Sequence, residues 1–438
     1  MEILKFDTTV KGKPFKMLNA TNGGPWHNRK ATALILINFE DYKKARIPYA
    51  RNHDMGCTPC YGGPYAHDIT KIYRNFDADE TLPSSYDFAC TDESVLTTLD
   101  AGTETFFRLG ESAESIITPH ALIPPKDFEK WARIAEHIIR HYNEGWANGY
   151  NLNITYWEIW NEPDLRYEDE TKGFWCGPTE TFFDFYAIVA KHLKSCFPNL
   201  KIGGPSLAHD TVWAKRFLQE MKDRNVPIDF FSWHCYATDP TPLIERAEKV
   251  RSLLDLFGYK NAESICNEWN YVSDWGEGFC KDVMTIHGIK GALFTMACIC
   301  ESQKSDAVDM LMYYSTEPSH FCGAFDYYSY KPLKGYYPLM WYGKFYDMVK
   351  YVPPTNNVQD IYTLCGVDDN GKITCIINHY SNNDETPEKT IKLDFGKQCT
   401  FDVYMLDDKH DGEFIGRVND TTFTLKCRSC ILLKEVTC

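Results

Sequence analysis

No stretch of the chain reaches the uninterrupted apolar length needed to span a bilayer. The start, Met1-Glu2-Ile3-Leu4-Lys5-Phe6-Asp7, lacks the basic opening and long apolar run of a secretory signal. On these grounds the sequence reads as soluble and cytoplasmic. Positive charge is scarce: 46 Lys and Arg against 61 Asp and Glu give a formal net charge of −15, so nucleic acid or an anionic membrane surface would be repelled at long range. Neither is expected as a partner. Repeats and low-complexity tracts are missing, which excludes solenoids and disordered polar segments. Cysteine is plentiful but unpatterned: 17 is an odd number. Cys196, Cys235, Cys266, Cys298 and Cys300 lie in apolar segments, which suits reduced, buried thiols better than a disulfide framework. The close pairs Cys57/Cys60 and Cys427/Cys430 have no second pair at zinc-site spacing, so no metal and no other cofactor is expected.

What is present is enough apolar residue, 44%, for a large core, and a length of 438 that suits one large domain with a smaller one attached. Between about residues 14 and 345, short apolar runs alternate with segments of helical period. The candidate strands are 15–19, 49–54, 105–110, 155–161, 201–204, 229–236, 264–269 and 309–314. A helix beginning at an Asp127 N-cap places Phe128, Trp131, Ala135, Ile138, Ile139 and Tyr142 on one face and stops at Gly145. A second runs from Thr179 toward the stop at Pro198, and a third groups Trp213, Phe217, Leu218 and Met221. This is the α/β pattern of parallel βα units, expected to close as a (β/α)8 TIM barrel over 14–345. A doubly wound sheet has a similar local pattern; the placement of carboxylates decides between them. Residues 346–438 turn β-rich, with strands at 360–367, 372–379, 389–395, 400–406 and 422–433 set apart by turns such as Asp369-Asn370-Gly371. They read as an antiparallel β-sandwich domain, to which residues 1–13 add a strand.

The sharpest segment is Tyr156-Trp157-Glu158-Ile159-Trp160-Asn161-Glu162-Pro163-Asp164. Its alternation reads as a strand that Pro163 ends, because proline cannot donate to the ladder. Asn161 and Glu162 are thereby delivered to the strand exit, where barrel enzymes assemble their sites. A second carboxylate ends a similar run in Ile265-Cys266-Asn267-Glu268-Trp269-Asn270-Tyr271. These are strands four and seven. Two carboxyl groups across one barrel mouth are what a retaining glycosidase needs, one protonated to assist the leaving oxygen and one ionised to attack the anomeric carbon. Aromatics at 15%, with 27 Tyr and 11 Trp, suit sugar stacking, although large barrels use many aromatics in packing.

On these residues the chain resembles the large clan of glycoside hydrolases that carry the acid/base on strand four and the nucleophile on strand seven. Over nearly its full length it resembles family 39, the β-xylosidase and α-L-iduronidase family. Trp160-Asn161-Glu162-Pro163-Asp164 matches the acid/base motif and Asn267-Glu268 the nucleophile strand. Arg51-Asn52-His53-Asp54 and Ser232-Trp233-His234-Cys235-Tyr236 extend the likeness. It departs at Asn19–Trp26 and at Tyr313-Tyr314, where a tryptophan would be expected, and both segments border the sugar pocket.

The chemistry assigns roles. Glu162 is the expected acid/base, its pKa raised by burial and by the charge of Glu268, and Glu268 is the expected ionised nucleophile. Asn161 is expected on the sugar 2-hydroxyl and His53 on another ring hydroxyl. His234 or Tyr236 would orient Glu268, although both also read as core residues. Trp269 and Tyr313 are further pocket candidates; Tyr313 and Tyr314 alternate, so at most one faces inward. Trp157 and Trp160 read as packing, and Glu111 and Glu114 as rim carboxylates that an arginine partner explains equally well. The loop from Gly56 to Asn75 is expected to wall the pocket and restrict it to one terminal sugar.

The resulting expectation is an exo-acting retaining glycosidase cleaving β-xylosides in an oligosaccharide or other glycoside. α-L-Arabinofuranosidase is an alternative. α-L-Iduronidase fits poorly, because a polyanionic substrate would meet a chain at −15. A non-catalytic carbohydrate-binding protein and a metal-dependent hydrolase are the remaining rivals. The oligomeric state, a homo-oligomer included, stays open.

Overall fold

The computed structural model describes residues 1–25, 38–53, 56–58, 62–112, 122–165, 173–319 and 321–436, without the side chains of 56–58 and 62–64. Glu114, Cys60, Tyr61 and Trp26 lie outside the described residues.

Eight parallel strands close into a barrel: β1 (Met17–Asn22), β2 (Tyr49–Arg51), β3 (Glu104–Leu109), β4 (Tyr156–Ile159), β5 (Lys201–Leu207), β6 (Phe230–Ala237), β7 (Glu263–Tyr271) and β8 (Met310–Tyr313). They pair in sequence order, and β8 closes on β1. The expected (β/α)8 barrel is thus the observed one. The three helices singled out from periodicity form at Phe128–Glu144, Thr179–Cys196 and Thr211–Asp223. The first is capped by the Asp127 side chain, which accepts from the Lys130 amide at 2.9 Å, and stopped by Gly145 in the left-handed region.

The barrel interior is built in layers by the two-residue period of each strand. Ala20, Phe106, Tyr156, Phe230, Ile265, Met310 and Met312 form a separate apolar cluster. Phe106 stacks on Tyr156 at 5.1 Å and meets Phe230 edge-on at 5.2 Å. Two residues further along these strands, on the same inward face, come Arg108, Glu158, Ser232 and Asn267, a buried polar layer above the apolar plug. The alternate residues, among them Phe107, Trp157, Phe231 and Cys266, join the large cluster under the helices.

Strand β7 breaks the alternation. Cys266 pairs with Trp233 and Glu268 with His234, so one extra residue is inserted in β7 against β6. Without this bulge, inward Ile265 and Asn267 would be followed by inward Trp269, and Glu268 would face the helices. With it, Glu268 turns into the barrel and Trp269 turns out.

The β-rich region forms β9 (Lys350–Tyr351), β10 (Ile361–Val367), β11 (Ile373–His379), β12 (Lys389–Asp394), β13 (Thr400–Leu406), β14 (Asp411–Val418), β15 (Thr422–Leu425) and β16 (Ser429–Val436). Six of them make one sheet in the order β9-β10-β11-β16-β13-β14, and strand Glu2–Lys5 joins β12 and β15 in a second. Glu2–Lys5 runs parallel to β12, so the chain's first strand is held by its last domain. Leu4, Cys365, Ile377, Phe401 and Leu433 share a core between the sheets. The alternating neighbours Leu364, Ile376 and Leu432 pack instead with the barrel's cluster. Helix Ile289–Lys304 lies at that junction, where the Asn378 side chain donates to the Leu293 carbonyl at 2.9 Å.

Two expectations are corrected here. The run 422–433 is two strands in different sheets, parted at Arg428, whose φ of 66° turns the chain. Strand β14 is missed by pattern because it is a largely exposed edge strand without an apolar face. The reduced-thiol reading also needs amendment: Cys90 is disulfide-bonded, while the thirteen other cysteines from Cys176 to Cys430, including Cys427, are free. Among the described residues no single helix is long and apolar enough to cross a membrane.

The apolar plug is a packing claim. Phe230→Ala should lower unfolding free energy by about 3–5 kcal/mol, read as a shift of the urea midpoint. A loss below about 1 kcal/mol would mean that the layer is not close-packed.

Candidate active site

Arg51, at the end of β2, is fully buried inside the barrel. A lone guanidinium there would be untenable, and every arm of it is engaged. Nε donates to Glu158 Oε2 at 2.6 Å and Nη1 to Glu268 Oε1 at 2.7 Å. Nη1 also reaches Asn22 Oδ1 at 3.1 Å, and Nη2 donates to Asn161 Oδ1 at 2.7 Å and Ser206 Oγ at 3.0 Å. One cation from strand two therefore fixes groups from strands one, four, five and seven.

Glu158 faces the same layer, with Oε1 accepting from Ser232 Oγ at 2.5 Å and Asn267 Nδ2 at 2.7 Å. Asn22 donates to the Asn267 carbonyl at 2.7 Å. The β1 exit, where the family resemblance departs, thus braces β7 beside Glu268.

Glu268 accepts on both oxygens, from Arg51 on one and from Tyr236 Oη at 3.1 Å on the other. His53 Nε2 lies 3.5 Å from Oε1. Burial raises its pKa, with His234 and Arg51 opposing and Glu162 adding to the rise. Two donors, one of them cationic, are the surroundings of an ionised carboxylate.

Glu162, whose partner is His234, has no guanidinium or ammonium at hydrogen-bond distance among the described residues. It stands one residue past Asn161 in a turn where Trp160 and Glu162 both adopt positive φ, 72° and 47°. For non-glycine residues this conformation is uphill and persists where surrounding contacts impose it. The Glu162 amide donates to the Ser206 carbonyl at 2.9 Å, and Trp160 Nε1 donates to the Phe174 carbonyl at 2.6 Å. Burial pushes the Glu162 carboxyl up to about 8; Asp164 adds to the rise, while Arg51 and His209 oppose it. Asp164 is a second carboxylate that adds to the rise of Glu162, and the repulsion expected between Glu162 and Glu268 is present as a rise of Glu268. Asp164 is itself anchored by the amides of Ala208, His209 and Asp210 at 2.8–2.9 Å.

His234 joins the two carboxylates. Nδ1 lies 2.7 Å from Glu162 Oε1 and 3.4 Å from Glu268 Oε2, and Nε2 lies 2.6 Å from Ser206 Oγ. Burial lowers its pKa to about 4, so the ring is neutral near pH 7. A donor atom from each of Glu162, His234 and Glu268 falls within 4.8 Å of the other two. The carboxylates are 14% and 6% exposed, enough for Glu162 to be reached from the mouth.

Of the residues expected from sequence, Glu162, Glu268, Asn161, His53, His234 and Tyr236 are brought together. Asn161 Nδ2 is buried with no hydrogen-bond partner among the described residues. Two expectations fail. Trp269 packs outside the barrel against Phe294 at 6.3 Å, because of the β7 bulge. Tyr313 meets Trp269 edge-on at 5.6 Å in the same outer layer, since Met310 and Met312 take the inward positions of β8. Tyr314 is the inward tyrosine, 6.0 Å from the His53 ring. The Glu111 carboxylate accepts from Thr70, while Arg108 donates to the Glu111 backbone carbonyl at 2.5 Å and pairs with Asp68. Sequence reasoning missed Glu158 and Ser206 and quoted Arg51 without a role; a charged residue on the inward period of a central strand was the available signal.

With this geometry established, known proteins can be compared. The family model for glycosyl hydrolases family 39 matches residues 32–247. A β-xylosidase of Geobacillus stearothermophilus is 27% identical over 231 residues, 46% of this chain and 44% of that protein. One of Caldicellulosiruptor saccharolyticus is 29% identical over 184 residues, 39% and 35% respectively. The matched segment thus spans less than half the length of either relative. Among solved structures, a glucosidase from Croceicoccus marinus superposes with TM-score 0.78 at 19% identity, covering 100% of this chain and 99% of that one. A monomeric β-xylosidase from Caulobacter crescentus gives 0.71 at 12% identity over 99% of both. At these identities the solved structures share the fold.

Removing the guanidinium leaves two buried carboxylates facing each other. Arg51→Met should therefore cost about 3–5 kcal/mol in stability, measured by denaturant unfolding, and Glu158→Gln in that background should recover part of it. An Arg51→Met protein as stable as the parent would show that the pair is not held by this charge.

Proposed function

We propose that this chain, which belongs to glycosyl hydrolases family 39, hydrolyses glycosides with retention of configuration, using Glu162 as acid/base and Glu268 as nucleophile. The observation that carries the reading is the pairing itself: carboxyl oxygens within 4.8 Å, one group facing a guanidinium and the other pushed up to about 8. Retaining enzymes keep their carboxyl groups about 5–5.5 Å apart, whereas inverting enzymes need about 6.5–9.5 Å to admit a water.

In the first step Glu268 attacks the anomeric carbon as the glycosidic C–O bond breaks, and the leaving oxygen takes the proton of Glu162. Ser206 accepts from Arg51 and Asn267. Its hydroxyl reaches two acceptors, Asn161 Oδ1 at 3.0 Å and His234 Nε2 at 2.6 Å, and we assign the proton to the shorter contact, His234. The imidazole proton is then on Nδ1 and is donated to Glu162 Oε1, which leaves the acidic proton on Oε2. With Glu162 neutral, Arg51 balances one of the two charges of Glu158 and Glu268, and the remaining negative charge favours the oxocarbenium-like transition state. The second step reverses the roles: Glu162, now ionised, takes a proton from water, which displaces Glu268. Asn161 Nδ2 is the donor for the sugar 2-hydroxyl and His53 serves a neighbouring hydroxyl.

β-Xylosides are the first substrate choice, supported by the two β-xylosidase relatives. The decisive panel is the nitrophenyl β-xyloside, α-L-arabinofuranoside, β-glucoside and β-galactoside. Release is expected from the β-xyloside, with Glu162→Gln lowering turnover about 10²–10⁴-fold and azide, which needs no base, restoring it. Release unaffected by Glu162→Gln would remove that residue from the mechanism.

The pH dependence has a definite sign. The first step needs Glu162 protonated, so kcat/KM should fall as pH rises through about 8. It also needs Glu268 ionised, and because burial raises that group the acid limb should lie above the usual carboxylate range. A profile flat to pH 9.5 would contradict the acid role of Glu162.

A further inference from the structure

Among the described residues Trp275 is the tryptophan left largely to solvent, 59% exposed. It lies in the loop after β7, seven residues beyond Glu268. Its ring meets Tyr236 edge-on at 4.9 Å, and Tyr236 is the residue that donates to Glu268. Phe279 stacks on Trp275 at 5.5 Å, and Phe321 meets both, at 6.1 Å and 4.9 Å. An aromatic row thus leads from the partner of Glu268 out to the rim.

The loop that carries Trp275 is firmly tied. Buried Asp282 accepts from the Ser273 amide at 2.6 Å, the Ser273 hydroxyl at 2.7 Å and the Asp274 amide at 3.0 Å. Asp274 in turn accepts from the amides of Gly276 and Gly278 at 2.7 and 2.8 Å. Fixing a large apolar ring while leaving 59% of it in water costs both entropy and hydration, which its packing on Tyr236 and Phe279 offsets only for the covered part of the ring.

Position decides what the ring would meet. His53 and Tyr314 approach Glu268 from β2 and the end of β8. Glu162 comes from the end of β4, His234 and Tyr236 from β6 and Trp275 from the loop after β7, where Phe321 links it to Tyr314 at 6.3 Å. The group leaving the sugar departs on the side of the residue that protonates it, and one strand, β6, carries both His234 against Glu162 and Tyr236 against Trp275.

We propose that Trp275, backed by Phe279 and Phe321, forms a subsite for the leaving group, stacking on a flat ring with an apolar face, either a second sugar or an aryl aglycone. The proposal rests on the glycosidase reading. A Trp275 that merely buttresses Tyr236 would affect every substrate alike, and that difference is measurable.

The test compares substrates of one glycone and one anomeric configuration: the glycosyl fluoride, which has no leaving ring, the 4-nitrophenyl glycoside and the homodisaccharide. Each is assayed on the parent, Trp275→Ala and Trp275→Phe. We expect Trp275→Ala to lower kcat/KM about tenfold for a ring-bearing substrate while the fluoride stays within about twofold, and Trp275→Phe to recover most of the loss. A larger loss on the disaccharide assigns the subsite to a sugar, and a larger loss on the nitrophenyl glycoside to an aryl group. Equal loss on all three, fluoride included, or no loss on any, would overturn the subsite. A parent that turns over none of them would overturn the glycosidase reading and the subsite with it.

Discussion

The rest of the site depends on a buried cation. Arg51 is sealed from solvent, yet it touches Glu158, Glu268, Asn161, Ser206 and Asn22. A guanidinium in such a place requires carboxylates around it, and once present it fixes where they point. Its planar fork serves strands four and seven together, so it sets the spacing between Asn161 and Glu268. The same charge opposes the rise that burial imposes on Glu268. Arg51 opposes the rise at Glu162 as well, but it donates a hydrogen bond to Glu268, while Asp164 pushes Glu162 further up.

The layering beneath explains why this arrangement is rigid. An apolar plug around Phe106, Tyr156 and Phe230 fills the barrel below Arg51, and the polar layer rests on it. Glu158 accepts from Arg51, Ser232 and Asn267, so each of its oxygens is engaged. Asn267 Oδ1 and Arg108 Nε in the same layer are buried without a partner among the described residues, and burial is the leading cause of the shifts at Glu162 and His234 above it.

Much of this was legible in the sequence. Strand–helix alternation marked all eight barrel strands, and Pro163 marked where the fourth ends. The two glutamates were visible as carboxylates at matching strand exits. What was not legible is instructive. Trp269 was expected at the pocket beside Glu268, and the extra residue in β7 turns Glu268 in and Trp269 out; nothing local in Cys266-Asn267-Glu268 announces a bulge. Tyr313 and Tyr314 could be separated only by the phase of β8, which the inward methionines set. Glu158 was hidden by its neighbours, because a lone charge inside an apolar strand acquires meaning only when Arg51, more than a hundred residues away, arrives beside it. Strand β14 escaped because an exposed edge needs no apolar alternation, and the disulfide of Cys90 because spacing does not reveal a cross-link.

The central claim is that Glu162 and Glu268 act in two displacements at one anomeric carbon. Its most direct measurement is the proton NMR spectrum of the sugar first released from a cleaved glycoside, taken before the anomers equilibrate. The account requires that the initial product carry the anomeric configuration of the substrate. An initial product of opposite configuration would mean a single displacement by water, for which carboxyl oxygens within 4.8 Å leave no room, and would contradict the account at its centre.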